Sequence, residues 1–157
     1  MNLFLQKKGY DQDSEFRTVM YFAEDGEKLK SKDMYFTAAH AQRKGISRAF
    51  LYYDEEGNEK VREVYFNEKL AKKGKVNRTV TYKNKLGKKL KMEFHYIRSY
   101  VLKAGEDWSI IYYDSSEKRK RKVNFFTRES VKLTKIYKTI GYYNNNGKIV
   151  DSEDFFK

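Results

Sequence analysis

A chain of 157 residues has the size of one domain, and neither a Pro cluster nor a Gly/Ser tract divides it. The absence of cysteine excludes a disulfide framework and a thiolate metal site, and no apolar run reaches the roughly 18 residues of a membrane-spanning helix. The net charge of +12 favours anionic surfaces: nucleic acid, acidic lipid, polyanionic glycan or an acidic protein. Met1 to Gly9 lacks the apolar core of a signal peptide, so the chain as given reads as soluble. A signal or anchor removed beforehand leaves both cytoplasmic and extracytoplasmic settings open. Much of the apolar content is 14 Tyr and 11 Phe, residues that favour a pleated, half-buried sheet over disorder.

Five tandem units of about 30 residues run through the chain, approximately 16–45, 46–75, 76–105, 106–135 and 136–157. Tyr21, Tyr52, Tyr82, Tyr112 and Tyr142 recur at spacings of 31, 30, 30 and 30, and five residues after each comes Gly26, Gly57, Gly87, Glu117 or Gly147. Tyr35-Phe36, Tyr65-Phe66, His95-Tyr96, Phe125-Phe126 and Phe155-Phe156 close the units at a uniform 30, so the extra residue of the first falls between Gly26 and Tyr35.

In chain order, the first unit predicts a turn at 23–26 and a connection, Thr37 to Lys44, with room for a helical turn. The second predicts a strand from Ile46 to Tyr53, a turn at Asp54 to Gly57, a return strand from Glu59 to Phe66 and a connection from Asn67 to Lys75. Turns follow at 84–87, 114–117 and 144–147, and Glu117 should cost the fourth something, because Gly suits the left-handed closing position. Leu70, Tyr100 and Val131 could pack from the connections onto the sheet. These elements predict an all-β domain: an elongated sheet of tandem antiparallel hairpins roughly 45 to 50 Å long, with a closed or partly closed meander barrel as the rival.

Period-two alternation groups Phe50 and Tyr52 with Val64 and Phe66 on one face, and Leu51 and Tyr53 with Val61 and Tyr65 on the other. The first face is the expected core: the recurring Tyr, the column Val19, Phe50, Val80, Ile110 and Ile140, and the closing Phe36, Phe66, Tyr96, Phe126 and Phe156. The second sets Thr18, Ala49, Thr79, Ser109 and Thr139 against Asp33, Glu63, Glu93, Val123 and Glu153, and reads as amphipathic and partly wet.

The stretch from Arg48 to Phe66, with its aromatic pair Tyr52 and Tyr53, acidic turn closing in Gly57 and polar strand ending in aromatics, resembles the MORN-variant repeats of bacterial proteins. Asn144 to Lys148 looks similar. The resemblance implies a stacked-hairpin sheet and a binding or scaffold role, some members being labelled antitoxin components, and it carries over no catalytic residue.

The residues point away from catalysis. His40 and His95 occupy different columns, no nucleophile elbow or phosphate-binding Gly-rich loop appears, and the carboxylates Glu63, Glu93 and Glu153 repeat where a catalytic site needs asymmetry. No cofactor or metal is expected. For an anionic partner the candidates are a central patch, Lys88, Lys89 and Lys91 beside Lys118, Arg119, Lys120, Arg121 and Lys122, and a stripe holding Arg48, Arg78 and Trp108 in the column of Arg17 and Lys138. Tyr53, Tyr113 and Tyr143 form an alternative aromatic surface. The expected function is a non-enzymatic repeat scaffold that binds a protein or an acidic envelope polymer through this basic, aromatic-rich sheet. The alternative is a nucleic-acid-binding module using the central patch.

Overall fold

The computed structural model describes Leu3–Phe4 and residues 15–157, with side chains from Arg17 onward. Among these, five hairpins follow one another: β2 (Glu15–Phe22) with β3 (Leu29–Phe36), β4 (Ile46–Tyr53) with β5 (Glu59–Phe66), and β6 (Val76–Lys83) with β7 (Lys89–Tyr96). Then come β8 (Glu106–Tyr113) with β9 (Arg119–Phe126), and β10 (Ile136–Tyr143) with β11 (Ile149–Phe156). A short β1 (Leu3–Phe4) pairs with β2. All pair antiparallel in sequence order as one open sheet, which spans about 50 Å at the usual ~4.8 Å strand spacing. The elongated hairpin array therefore holds, and the barrel does not form.

The turns show why the hairpins close where they do. Asp54 accepts at Oδ1 from the backbone N–H groups of Glu56 and Asn58, and Gly57 sits at φ +85°. Asn84, Asp114 and Asn144 repeat this side-chain bracing. Glu117 takes the left-handed position at φ +59°, and its carboxylate accepts from the Lys89 backbone N–H at 2.9 Å, a contact that glycine cannot make.

The connections are full helices of seven residues each: α1 (Ala38–Lys44), α2 (Glu68–Gly74), α3 (Arg98–Ala104) and α4 (Arg128–Thr134). Thr37, Asn67 and Thr127 cap three of them through side-chain oxygens, and left-handed Gly45, Lys75, Gly105 and Lys135 end all four. Successive connections are tied by backbone bonds, Asn67 to Gly45, Ile97 to Lys75 and Thr127 to Gly105. Asn67 also donates from its side chain to the Ala41 carbonyl, and Leu70 fills the space beside Gly45.

The register corrects the expected faces. Phe50 pairs with Glu63 and Tyr52 with Val61, so these share a face with Tyr65, while Val64 and Phe66 lie opposite with Ala49 and Leu51. The cause is a bulge: Tyr52 and Tyr53 face Val61 and Glu59, which leaves Lys60 as an extra residue and inverts the alternation of the return strand. The same shift recurs in every hairpin. We call the Phe50 side the ladder face and the Ala49 side the helix face, because Phe36 stacks on His40 of α1 and Tyr96 packs at a tilt against Tyr100 of α3.

Burial divides between the two sides. Val19, Val80, Ile110, Val123 and Ile140 are buried on the ladder face; Ala49, Leu51, Thr79, Thr81, Ser109 and Ile111 are buried on the helix face. Tyr96 O–H meets Ser109 Oγ at 2.8 Å, which satisfies a hydroxyl with no exposure. The face expected to be wet is thus dry along its centre. The recurring tyrosines share one face as expected but are not its deep core: Tyr52 is 39% exposed, and Tyr82 and Tyr112 are half-buried.

Candidate binding surfaces

One cross-strand row of the ladder face runs Arg17, Tyr35, Arg48, Tyr65, Arg78, His95, Trp108, Phe125, Lys138, Phe155. The expected stripe is there, but each cation or Trp108 alternates with a ring from a return strand. Arg17 and Arg48 lie 4.5 and 4.9 Å from the Tyr35 ring, and Arg48 and Arg78 lie 5.5 and 5.7 Å from that of Tyr65. His95 and Phe125 stack on opposite sides of Trp108, within 8° of parallel and at 6.0 and 4.3 Å. Both faces of the indole are covered.

The adjacent row holds the carboxylates, now on the same face as these cations. Arg48 grips Asp33 bidentately at 2.7 and 2.6 Å, with the Asp33 side chain 5% exposed; this bond raises the guanidinium pKa above its ordinary value. Arg78 meets Glu63 at 3.3 Å, and Tyr65 O–H donates to the same carboxylate at 3.0 Å. Glu93 takes Lys91 at 2.9 Å and lies 3.7 Å from His95 Nε2. Burial first, then the Arg78 charge, lowers the His95 pKa below its usual value. Arg48, Arg78 and Lys91 are therefore compensated internally. Simple alternation hides the Arg48 and Arg78 pairs, because without the bulge Asp33 and Glu63 fall on the other face, whereas Lys91 and Glu93, two apart on one strand, share a face in either register.

The run from Lys118 to Lys122 is different. Its residues divide between the faces, with strict alternation broken by a bulge: Arg121 points to the ladder face over Tyr112 at 4.3 Å, Lys122 pairs with Ile111 on the helix face, and Arg119 pairs with Tyr113 rather than sharing the face of Arg121. Lys120 is the extra residue of the bulge, and Arg119 sits near the Tyr143 ring at 5.9 Å. Among the described residues none of the five has a carboxylate within ion-pair distance, and in this strand Val123 replaces the acid of the carboxylate column. In the neighbouring turn Lys88 donates to the Ser115 carbonyl, and Lys89 lies 4.0 Å from Glu117 and 5.0 Å from the Tyr113 ring.

Tyr53, Tyr113 and Tyr143 stand beside the turns and are half-buried. Burial raises the hydroxyl pKa of Tyr53 and Tyr113. Lys89 and Arg119 cover part of the Tyr113 and Tyr143 rings, so this alternative surface merges with the basic patch rather than standing apart from it. A shallow groove of about 520 Å³ opens on the ladder face among Tyr52, Val61, Glu63, Arg78, Val80 and Tyr82. It lies over the compensated units, away from β9.

Among the described residues no group of His, Asp and Glu is placed to hold a metal ion, and no helix is long and apolar enough to cross a membrane. Comparison with protein-family models and with curated protein sequences finds no match.

Proposed function

We propose that this chain is a non-enzymatic repeat scaffold, a MORN-variant-like hairpin array, that holds an acidic protein segment or acidic polymer across units three to five. The observation that carries the reading is the run Lys118 to Lys122, five consecutive cations without an acid partner among the described residues, four of them in β9, where Val123 interrupts the carboxylate column. Residues 76–135 hold 16 Lys and Arg against six Asp and Glu, so +10 of the +12 lies in units three and four. On the ladder face Asp33, Glu63 and Glu93 are paired with Arg48, Arg78 and Lys91, which leaves the run at β9 as the uncompensated part. Those pairs also support a non-catalytic reading, since each carboxylate is held by a cation of its own repeat neighbourhood. Stacked units offer the length an extended ligand needs.

A nucleic acid would exploit the same cations, but stacking on Trp108 is blocked by His95 and Phe125. The covered indole supports the acidic protein or polymer as the reading proposed here. The test measures binding of fluorescent polyglutamate, a sulfated glycan and an oligothymidylate of matched charge at low and physiological salt. The reading expects the polypeptide or glycan to bind with steep salt dependence, and the oligonucleotide to bind no tighter than its charge predicts. Preference for the oligonucleotide by an order of magnitude, or no binding by any of the three, would overturn it.

A further inference from the structure

The outer edge of β11 carries the opposite charge from the rest of the molecule. Ile149–Phe156 holds Asp151, Glu153 and Asp154 with no Lys or Arg. Among the described residues no strand pairs with that edge, and its apolar side chains are open: Ile149 is 52% exposed, Val150 64% and Phe156 65%. An unpaired edge with exposed apolar residues is a template for another strand.

The four internal junctions show what such a strand would look like. Opposite Tyr35, Tyr65, His95 and Phe125, the next strand supplies Arg48, Arg78, Trp108 and Lys138. Opposite Asp33, Glu63, Glu93 and Val123 it supplies Phe50, Val80, Ile110 and Ile140, and two residues further it always supplies a tyrosine. At the first two junctions the incoming arginine both covers the ring and pairs with the acid, Arg48 with Asp33 and Arg78 with Glu63.

On β11 the corresponding residues are Phe155 and Glu153. Phe155 has Lys138 over it at 4.1 Å from the inner side, half of the two-cation sandwich that Tyr35 and Tyr65 receive. Glu153 has no hydrogen bond or ion pair among the described residues, whereas Asp154 accepts from the Thr139 hydroxyl on the other face. We infer that the edge of β11 docks an antiparallel strand of a partner protein with arginine opposite Phe155, an apolar residue opposite Glu153 and tyrosine opposite Asp151. Self-pairing of two β11 edges would set acids against acids, which is unfavourable. The surface is separate from β9 and selects a basic strand despite the +12 of the whole chain.

The probe is a capped, labelled peptide with the sequence of residues 76–83, which carries the required arginine, valine and tyrosine. Titration into the full chain, with amide hydrogen exchange to locate the contact, expects saturable binding and new protection confined to β11. Glu153→Arg should weaken binding about tenfold or more, and a peptide with its arginine replaced by Glu should recover affinity for that variant. Asp151→Lys, at an exposed position, provides a second variant expected to weaken binding. Protection on β9, equal affinity of all variants, or a dimer that buries β11 in the absence of peptide would each overturn the inference.

Discussion

Arg48→Ala tests the ladder most sharply, because its cost separates into two parts. Loss of one partner from a buried ion pair costs about 3–5 kcal/mol. The Asp33 side chain is 5% exposed but that of Arg48 is 35% exposed, so solvent screening reduces this part to about 2 kcal/mol. The Tyr35 and Tyr65 rings add about 0.5–1 kcal/mol each. Arg48→Ala should therefore destabilise by about 3–4 kcal/mol. In an Asp33→Val background, which reproduces the Val123 of the equivalent position in β9, only the ring part remains, about 1–2 kcal/mol. Urea denaturation followed by circular dichroism gives all four corners of the cycle. A coupling of about 2 kcal/mol is expected, and one below about 0.5 kcal/mol would show that the pair is not a unit.

Lys135 holds a left-handed conformation at φ +65°, so Lys135→Gly should raise stability by about 1 kcal/mol; an unchanged urea midpoint would contradict that. Gly45→Ala should lower stability by about 1–2 kcal/mol, through the same strain and a clash with Leu70, as read by thermal denaturation. Phe126 is half-buried, so Phe126→Ala should cost about 2 kcal/mol, below the range for a fully buried phenylalanine. His95 has a depressed pKa in the folded chain, so its contribution is present above the unfolded histidine value of about 6.5 and is lost as pH falls through the folded value. His95→Phe, which copies Phe125, should gain stability relative to the parent between pH 7 and 5, and parallel pH profiles would refute the assignment.

The hairpins were legible because the recurring tyrosines and closing glycines fix strand and turn within a 30-residue period. The faces were not, because the bulge at Lys60 and its equivalents leaves no sequence mark, and one unpaired residue exchanges the two sides of a return strand. Simple alternation therefore sets Asp33 and Glu63 apart from Arg48 and Arg78, which the folded register brings together. The helices had a usable signal: Thr37, Asn67 and Thr127 are capping residues at multiples of 30, each followed by a left-handed closing residue eight positions on. Of the candidate site, the basic run and the fact that it divides between the faces were readable from the sequence, but the bulge at Lys120 separates Arg119 from Arg121, which alternation places together. Which cations are compensated depended on the register.

The central claim is that uncompensated charge on β9, rather than net charge, drives association. The direct measurement is the affinity for polyglutamate as a function of salt, for the parent, for Arg119→Glu with Arg121→Glu, and for Lys28→Glu with Lys148→Glu. The two pairs change net charge equally, but the second lies at exposed turns of the first and last units. The account predicts that the β9 pair abolishes most of the affinity and flattens its salt dependence, while the terminal pair leaves both close to the parent. Equal loss from the two pairs would contradict it.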